Sequence, residues 1–247
     1  MSRRVVVSGG GTGIGRAIAR RFAAGGDEVA IIGRRREVVE RTADEINGEV
    51  GRNAVTPHPA DLEDPAAVEA LARALTAGGP IDILVNNAGG TIRSSGTSLA
   101  DVAEQWSRTY RNNVLSTVML TAALLSDITR PGGRIVAMSS VAALRGAGAY
   151  GAAKAALHAW VYDQAATLGP EGITVNAVAP GFVPDTEFWE GRRTDQVAAP
   201  RIAGTLVKKP GTPDEVAEAV VYLASPLSGF TTGQILQVNG GTALGRG

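Results

Sequence analysis

Runs of apolar residues alternate with stretches of helical period along this chain, and glycine or proline separates one from the next. Val5-Val6-Val7 is a continuous β-branched run of the kind buried on both faces of a parallel sheet. From about Gly13 onward, Ile14, Ala17, Ile18 and Phe22 recur on one helical face. Val29 to Ile32 predicts a second strand and Val38 to Ile46 the helix after it. Ala54-Val55-Thr56 predicts a short third strand, after which Asp64 as N-cap and Pro65 at the first helical position open another helix. Ile81 to Val85 is a fourth strand, and Ser98 caps a long helical stretch in which Val102, Trp106, Tyr110 and Val114 recur every four residues. Arg134 to Met138, Ile173 to Ala179 and Ile235 to Val238 predict strands five to seven. Between them lie a helix from about Ala149 to Leu168 and another over Val216 to Leu223, the second preceded by the capping box Thr212-Pro213-Asp214-Glu215.

This alternation predicts right-handed βαβ units, and so one α/β domain over residues 1–247: a doubly wound, seven-stranded parallel sheet with helices on both faces. No linker or shift of composition divides it. One segment is irregular, Phe182 to Leu206, which mixes Pro184, Gly191, Pro200 and Gly204 with aromatic and charged residues. It reads as a lid over a site at about 182–206, or as a surface insertion.

Composition narrows the function classes. With 44% hydrophobic and 19% charged residues the chain is globular, and 24 basic residues balance 24 acidic ones, so no net field recruits nucleic acid or an acidic membrane. The absence of cysteine removes disulfides, thiolate zinc sites and a cysteine nucleophile. His58 and His158 stand far apart in sequence, and no metal site is expected. The N-terminus runs straight into the first strand and no apolar run reaches membrane-spanning length, so a cytoplasmic protein is expected.

Chemistry gathers where the strands end. After Val7 come Ser8, Gly9, Gly10, Gly11, Thr12, Gly13, Ile14 and Gly15, a loop whose missing Cβ atoms let a ligand approach the backbone. The helix N-terminus behind it suits a pyrophosphate, and strand, glycine loop and helix in that order form the context of a Rossmann dinucleotide site. In such sheets the ligand lies beyond the carboxyl ends of the strands. Arg34, Asp61-Leu62, Asn86 to Gly89, Ser139-Ser140 and Pro180-Gly181 all fall at such ends.

Tyr150 and Lys154, four residues apart, project from one face of a helix. A tyrosine near its ordinary pKa of about 10 is a poor acid–base catalyst at neutral pH, and a neighbouring ammonium favours its phenolate. Ser140, at the end of the neighbouring strand, offers a hydroxyl to the oxygen that Tyr150 protonates.

Together these residues resemble the short-chain dehydrogenase/reductase family over nearly the whole chain, with similarity to its 3-oxoacyl-[acyl-carrier-protein] reductase-like members. Ser8-Gly9-x-x-x-Gly13-x-Gly15 is similar to the TGxxxGxG loop, and Asn86-Asn87-Ala88-Gly89 to the NNAG segment. Ser140, Tyr150 and Lys154 match the Ser and YxxxK set, Asn113 the asparagine of a proton relay, Asp61 an adenine contact, and Pro180-Gly181 the turn beside the nicotinamide. The resemblance implies hydride transfer between a nicotinamide and a ketone or secondary alcohol, with Asn113, Ser140, Tyr150 and Lys154 catalytic. Cofactor contacts are implied at Ser8, Gly9, Gly11 to Gly15, Arg34, Arg35, Asp61, Leu62, Asn87 to Gly89, Tyr150, Lys154, Pro180, Gly181 and Val183. Three departures stand out: the segment Val141 to Ala149 is short, which leaves Ser139 as an alternative serine; Asn239 replaces an aspartate; and Thr12 stands where NADP-using relatives carry a basic residue.

Gly33-Arg34-Arg35 holds no acid to bind a ribose 2′-hydroxyl, and its arginines suit a 2′-phosphate, so NADP(H) is favoured over NAD(H). Phe182, Phe188 and Trp189 suggest an apolar or aromatic substrate or else pack the lid, and Arg93, Arg145, Arg192 and Arg193 are loop cations on or near the active face. A carbonyl reductase is the first expectation. An acyl-carrier or polyketide ketoreductase is the alternative, weakened by Glu171 where such enzymes often carry arginine, and a non-catalytic nucleotide sensor ranks last. Relatives are commonly tetramers, so a homotetramer or homodimer built on the stretches Ala103 to Ser126 and Ala149 to Leu168 is expected.

Overall fold

The computed structural model describes residues 2–93, 96–189 and 195–245. Seven strands form one parallel sheet in the order β3-β2-β1-β4-β5-β6-β7. They are β1 (Arg4–Ser8), β2 (Glu28–Gly33), β3 (Val55–Pro59), β4 (Ile83–Asn86), β5 (Arg134–Met138), β6 (Thr174–Pro180) and β7 (Ile235–Val238). The continuous apolar runs are explained by two cores, one on each face of the sheet. Val5, Val7, Ile31, Val85 and Val136 face helices α1 (Gly13–Ala24), α2 (Arg36–Val50) and α9 (Pro213–Leu223). Val6, Ile32, Leu84, Ile135 and Ala177 face α3 (Pro65–Thr76), α5 (Ser116–Leu124) and α7 (Gly148–Leu168). Adjacent residues of one strand therefore serve opposite cores, which a half-exposed alternating strand cannot do.

Local signals placed most elements to within a few residues. Asp64 accepts from Ala66 N at the start of α3, and Ser98 and Thr212 form capping boxes with Asp101 and Glu215. β3 runs further than expected, through Pro57 and Pro59, which its place at the sheet edge tolerates.

Two elements differ from expectation. The long helix after Ser98 is α4 (Leu99–Tyr110) followed by a turn of π-helix over Arg111–Leu115 before α5 begins. One extra residue in that turn rotates everything after it. Val114 is buried as a result, while Val102, Trp106 and Tyr110 keep 43%, 45% and 41% of their surface exposed. The Phe182 to Leu206 segment is not wholly irregular: it holds a 3₁₀ turn at Glu187–Trp189 and a helix, α8 (Asp195–Ala203). Gly191, Arg192 and Arg193 lie outside the described residues.

The chain runs from β1 out to β3 and then returns to place β4 on the other side of β1. That reversal opens a crevice between the ends of β1 and β4, where the glycine loop and the Asn86 to Gly89 segment meet.

Candidate active site

The glycine loop and the β4 end are bound to each other before any ligand is considered. Ser8 Oγ accepts from Asn87 N at 2.9 Å and from Ala88 N at 3.0 Å, and Asn87 Nδ2 donates to Ser8 O and Gly9 O at 3.0 and 3.1 Å. Ser8 is thereby buried beneath the cleft rather than lining it. Gly9 has φ +65° and Gly13 φ +51°, both in the left-handed region. Gly15 is required for another reason, since a Cβ there would lie 2.0 Å from Gly9 O. The result is a bare backbone floor leading to the N-terminus of α1, whose N-cap Thr12 makes no side-chain cap bond. Such a floor, opening onto a helix N-terminus, fits a dinucleotide pyrophosphate.

This floor belongs to a cleft of about 1450 Å³. Gly9, Gly11 to Gly15, Arg34, Arg35, Asp61, Leu62, Asn87 to Gly89, Ser140, Tyr150, Lys154 and Pro180 to Val183 line it, and so do Phe188 and Trp189. Of the residues assigned in the sequence to catalysis or cofactor contact, Ser8 and Asn113 do not.

Asn113 lies in the π turn and is fully buried. Its Nδ2 donates to Gly90 O and Thr109 O at 2.8 and 2.9 Å, and its Oδ1 accepts from Gly90 N at 3.0 Å. Its amide is thus occupied in holding the loop after β4 against α4. Gly89 makes this approach possible, because a Cβ there would meet Asn113 Oδ1 at 2.5 Å and Lys154 Nζ at 3.1 Å.

Tyr150 and Lys154 leave α7 on the cleft side, with Lys154 Nζ 5.9 Å from the Tyr150 ring centroid. Lys154 is 3% exposed, and its Nζ donates to Met138 O at 2.8 Å. Burial pushes its pKa down from 10.5 to about 8. The two serines after β5 separate clearly. Ser139 Oγ is buried against His158 Nε2 at 2.6 Å and Lys154 O at 3.3 Å, whereas Ser140 is part-exposed on the cleft and its Oγ accepts from Ala142 N at 3.1 Å. The short segment after Ser140 is taken up by α6 (Ala142–Arg145), Gly146 at φ +77° and Gly148 at φ +55°, which deliver Tyr150 to the first turns of α7.

At the other end of the cleft, Arg34 Nη1 lies 3.8 Å from Glu63 Oε1, and Arg35 Nη2 donates to Glu187 Oε2 at 2.6 Å. Glu187 was not foreseen: it comes from the 3₁₀ turn Glu187–Trp189, 152 residues away. The same turn places Phe188 5.6 Å from the Tyr150 ring, Trp189 5.1 Å from Phe188, and Phe182 5.0 Å from Trp189. Arg201 of α8, also unforeseen, lies over Trp189 at 4.9 Å. No group of three His, Cys, Asp or Glu residues suited to a metal ion occurs among the described residues.

Comparison with known proteins agrees with this geometry. A family model described as enoyl-(acyl carrier protein) reductase matches residues 9–243. An uncharacterised oxidoreductase of Mycobacterium tuberculosis is 38% identical, covering 96% of this chain and 90% of its own length. The 3-oxoacyl-[acyl-carrier-protein] reductase FabG of Escherichia coli is 36% identical, covering 96% and 95%. Among solved structures, a short-chain dehydrogenase from Burkholderia cenocepacia in complex with NADP superposes with a TM-score of 0.84 at 35% identity, over 97% of each chain.

Proposed function

Because the chain belongs to the short-chain dehydrogenase/reductase family, whose members act on CH–OH and C=O groups, we propose that it is an NADP(H)-dependent carbonyl reductase or secondary alcohol dehydrogenase. The observation that carries this reading is one cleft with a glycine floor at one end and Ser140, Tyr150 and Lys154 at the other.

Arg34 and Arg35 at the end of β2 would hold the ribose 2′-phosphate, and Gly11 to Gly15 with the α1 N-terminus would hold the pyrophosphate. When bound, the nicotinamide supplies or accepts the hydride. Ser140 Oγ donates to the substrate oxygen and holds it at Tyr150. Tyr150 Oη gives that oxygen its proton in reduction and takes it back in oxidation. Lys154, an ammonium below about pH 8, stabilises the phenolate left behind. Asn113 positions this group through Gly90, since its amide is committed to backbone partners.

The identity to FabG supports a second reading, reduction of acyl-carrier thioesters. Glu171 pairs with Arg130 at 2.5 Å, so that corner of the surface presents no free basic charge to an acidic carrier. We favour a free substrate, a self-associated enzyme, and turnover over a purely sensing role.

Titration with NADPH and NADH by nicotinamide fluorescence tests the cofactor. Arg34→Ala and Arg35→Ala should each weaken NADPH about tenfold and NADH little, the usual scale for one charge-assisted contact. Tyr150→Phe should bind NADPH as wild type does and lose about 10³-fold in turnover, at the scale of a lost general acid. Failure of both nucleotides to bind at millimolar concentration would refute the proposal.

A further inference from the structure

The two ends of the cleft differ in how their charges are matched. At the ribose end each lining arginine has a carboxylate beside it, Arg34 with Glu63 and Arg35 with Glu187. At the tyrosine end the lining cations are Arg93, Arg145 and Arg201, and none of them pairs with a carboxylate among the described residues. The acids on the described lining, Asp61, Glu63 and Glu187, all stand on elements that reach the ribose end. The reacting end is therefore the cationic end of the cleft, and its three solvent-exposed arginines give an entering anion a net positive field.

Arg201 is held against two aromatic rings. Its guanidinium carbon lies 4.9 Å from the Trp189 ring centroid and 6.0 Å from that of Phe182, and Nη1 donates to Val197 O at 3.2 Å. Stacking on aromatic faces fixes the plane of the guanidinium and leaves its edge to meet a carboxylate in two parallel bonds. Phe188 and Trp189 form a continuous aromatic surface from Tyr150 to this guanidinium, in steps of 5.6, 5.1 and 4.9 Å.

On the premise that Tyr150 protonates the substrate oxygen, we infer that the substrate is an aromatic keto acid or the corresponding hydroxy acid. Its carbonyl sits at Tyr150 and Ser140, its ring lies along Phe188 and Trp189, and its carboxylate meets Arg201. Arg145, at the end of α6 on the same cleft lining, adds to the field that draws the anion in.

Two measurements separate this inference from its premise. The first follows NADPH oxidation with 4-acetylbenzoate and its methyl ester, which share ring and ketone and differ in charge. The carboxylate should have a kcat/KM at least tenfold above the ester, and Arg201→Gln should reduce that ratio about tenfold, mainly through KM for the acid. Equal turnover of acid and ester, or an unchanged ratio in Arg201→Gln, overturns the inference and leaves the reductase reading intact. If neither ketone oxidises NADPH, the second measurement still decides: calorimetry of the NADP-loaded protein with benzoate and benzamide. Benzoate should bind at least fivefold more tightly than benzamide in wild type and lose that advantage in Arg201→Gln. Indistinguishable affinities refute the anion subsite.

Discussion

Lys154 brings stability and chemistry into conflict at one side chain. It is buried, its Nζ donates to Met138 O, and burial lowers its pKa from 10.5 to about 8. Between those two pH values the unfolded chain binds a proton that the folded chain does not, so stability rises with pH across that window. Below about pH 8 the ammonium is charged in both states, and its desolvation is a standing cost of about 3 kcal/mol at the 1.36 kcal/mol per pKa unit of linkage. Lys154→Met should therefore raise the unfolding free energy at pH 7, by up to about that amount, and flatten the rise above pH 8. Urea unfolding at pH 7 and pH 9.5 checks this, and a lower stability at pH 7 would mean that the bond to Met138 O outweighs desolvation. The chemistry needs the opposite state. In the proposed reaction, reduction uses protonated Tyr150 beside a charged Lys154, so kcat/KM for ketone reduction should fall above about pH 8, with an apparent pKa that belongs to the pair. The Tyr150–Lys154 spacing was legible in the sequence because four residues make one helical turn. The depressed pKa was not, since it depends on Gly89 and β5 closing around the ammonium.

The elements that meet at the crevice were legible to different degrees, and the difference is one of range. The strand, glycine loop and start of α1 are contiguous, and each glycine answers a local demand, Gly9 and Gly13 for positive φ and Gly15 for contact with Gly9 O. The role of Ser8 appeared only when β4 was set beside β1, for its hydroxyl serves two backbone N–H groups on that strand's end. Ser8→Ala leaves both donors without that acceptor in a nearly buried place, and should cost about 1–3 kcal/mol in urea unfolding, with nucleotide affinity reduced as the loop loosens. A stability within 0.5 kcal/mol of wild type, roughly the scatter of surface changes, would show the clamp to be dispensable. The π turn was illegible for another reason: the four-residue repeat Val102, Trp106, Tyr110, Val114 reads as one helix, and only the inserted residue turns Asn113 and Val114 inward. Long-range pairing also conceals the charge of the Glu187–Trp189 turn. Glu187 occupies the guanidinium of Arg35, where a ribose 2′-phosphate would bind, and both partners are about half exposed, so the pair itself is weak. Glu187→Gln should accordingly tighten 2′,5′-ADP a few fold and leave ADP unchanged in competition with NADPH fluorescence.

Across the molecule, the sheet order explains why six separate strand ends face one cleft, while the outer surface of the α4 and α7 layer keeps several large apolar side chains half-exposed. Trp106 and Tyr110 of α4, Leu115 of the π turn and Tyr162 of α7 remain between 41% and 53% exposed. Scattered exposed apolar residues are ordinary, but four large ones with Val102 on two adjoining helices suit an interface between copies. These helices also carry the residues proposed for the reaction: Tyr150 and Lys154 belong to α7, and Asn113, proposed to position them, follows α4. Burying their outer faces in an oligomer would brace the inner ones, so assembly and turnover should be lost together. Light scattering at micromolar concentration should give a multiple of the 25.3 kDa chain for the wild type, and Trp106→Glu should shift it toward one chain. The same variant, diluted to the point of dissociation, should lose kcat while its circular dichroism keeps the α/β signature. A wild type that remains a single chain throughout this range would leave the apolar face without a partner of its own kind, and the site would then have to be rigid through the monomer's two cores alone.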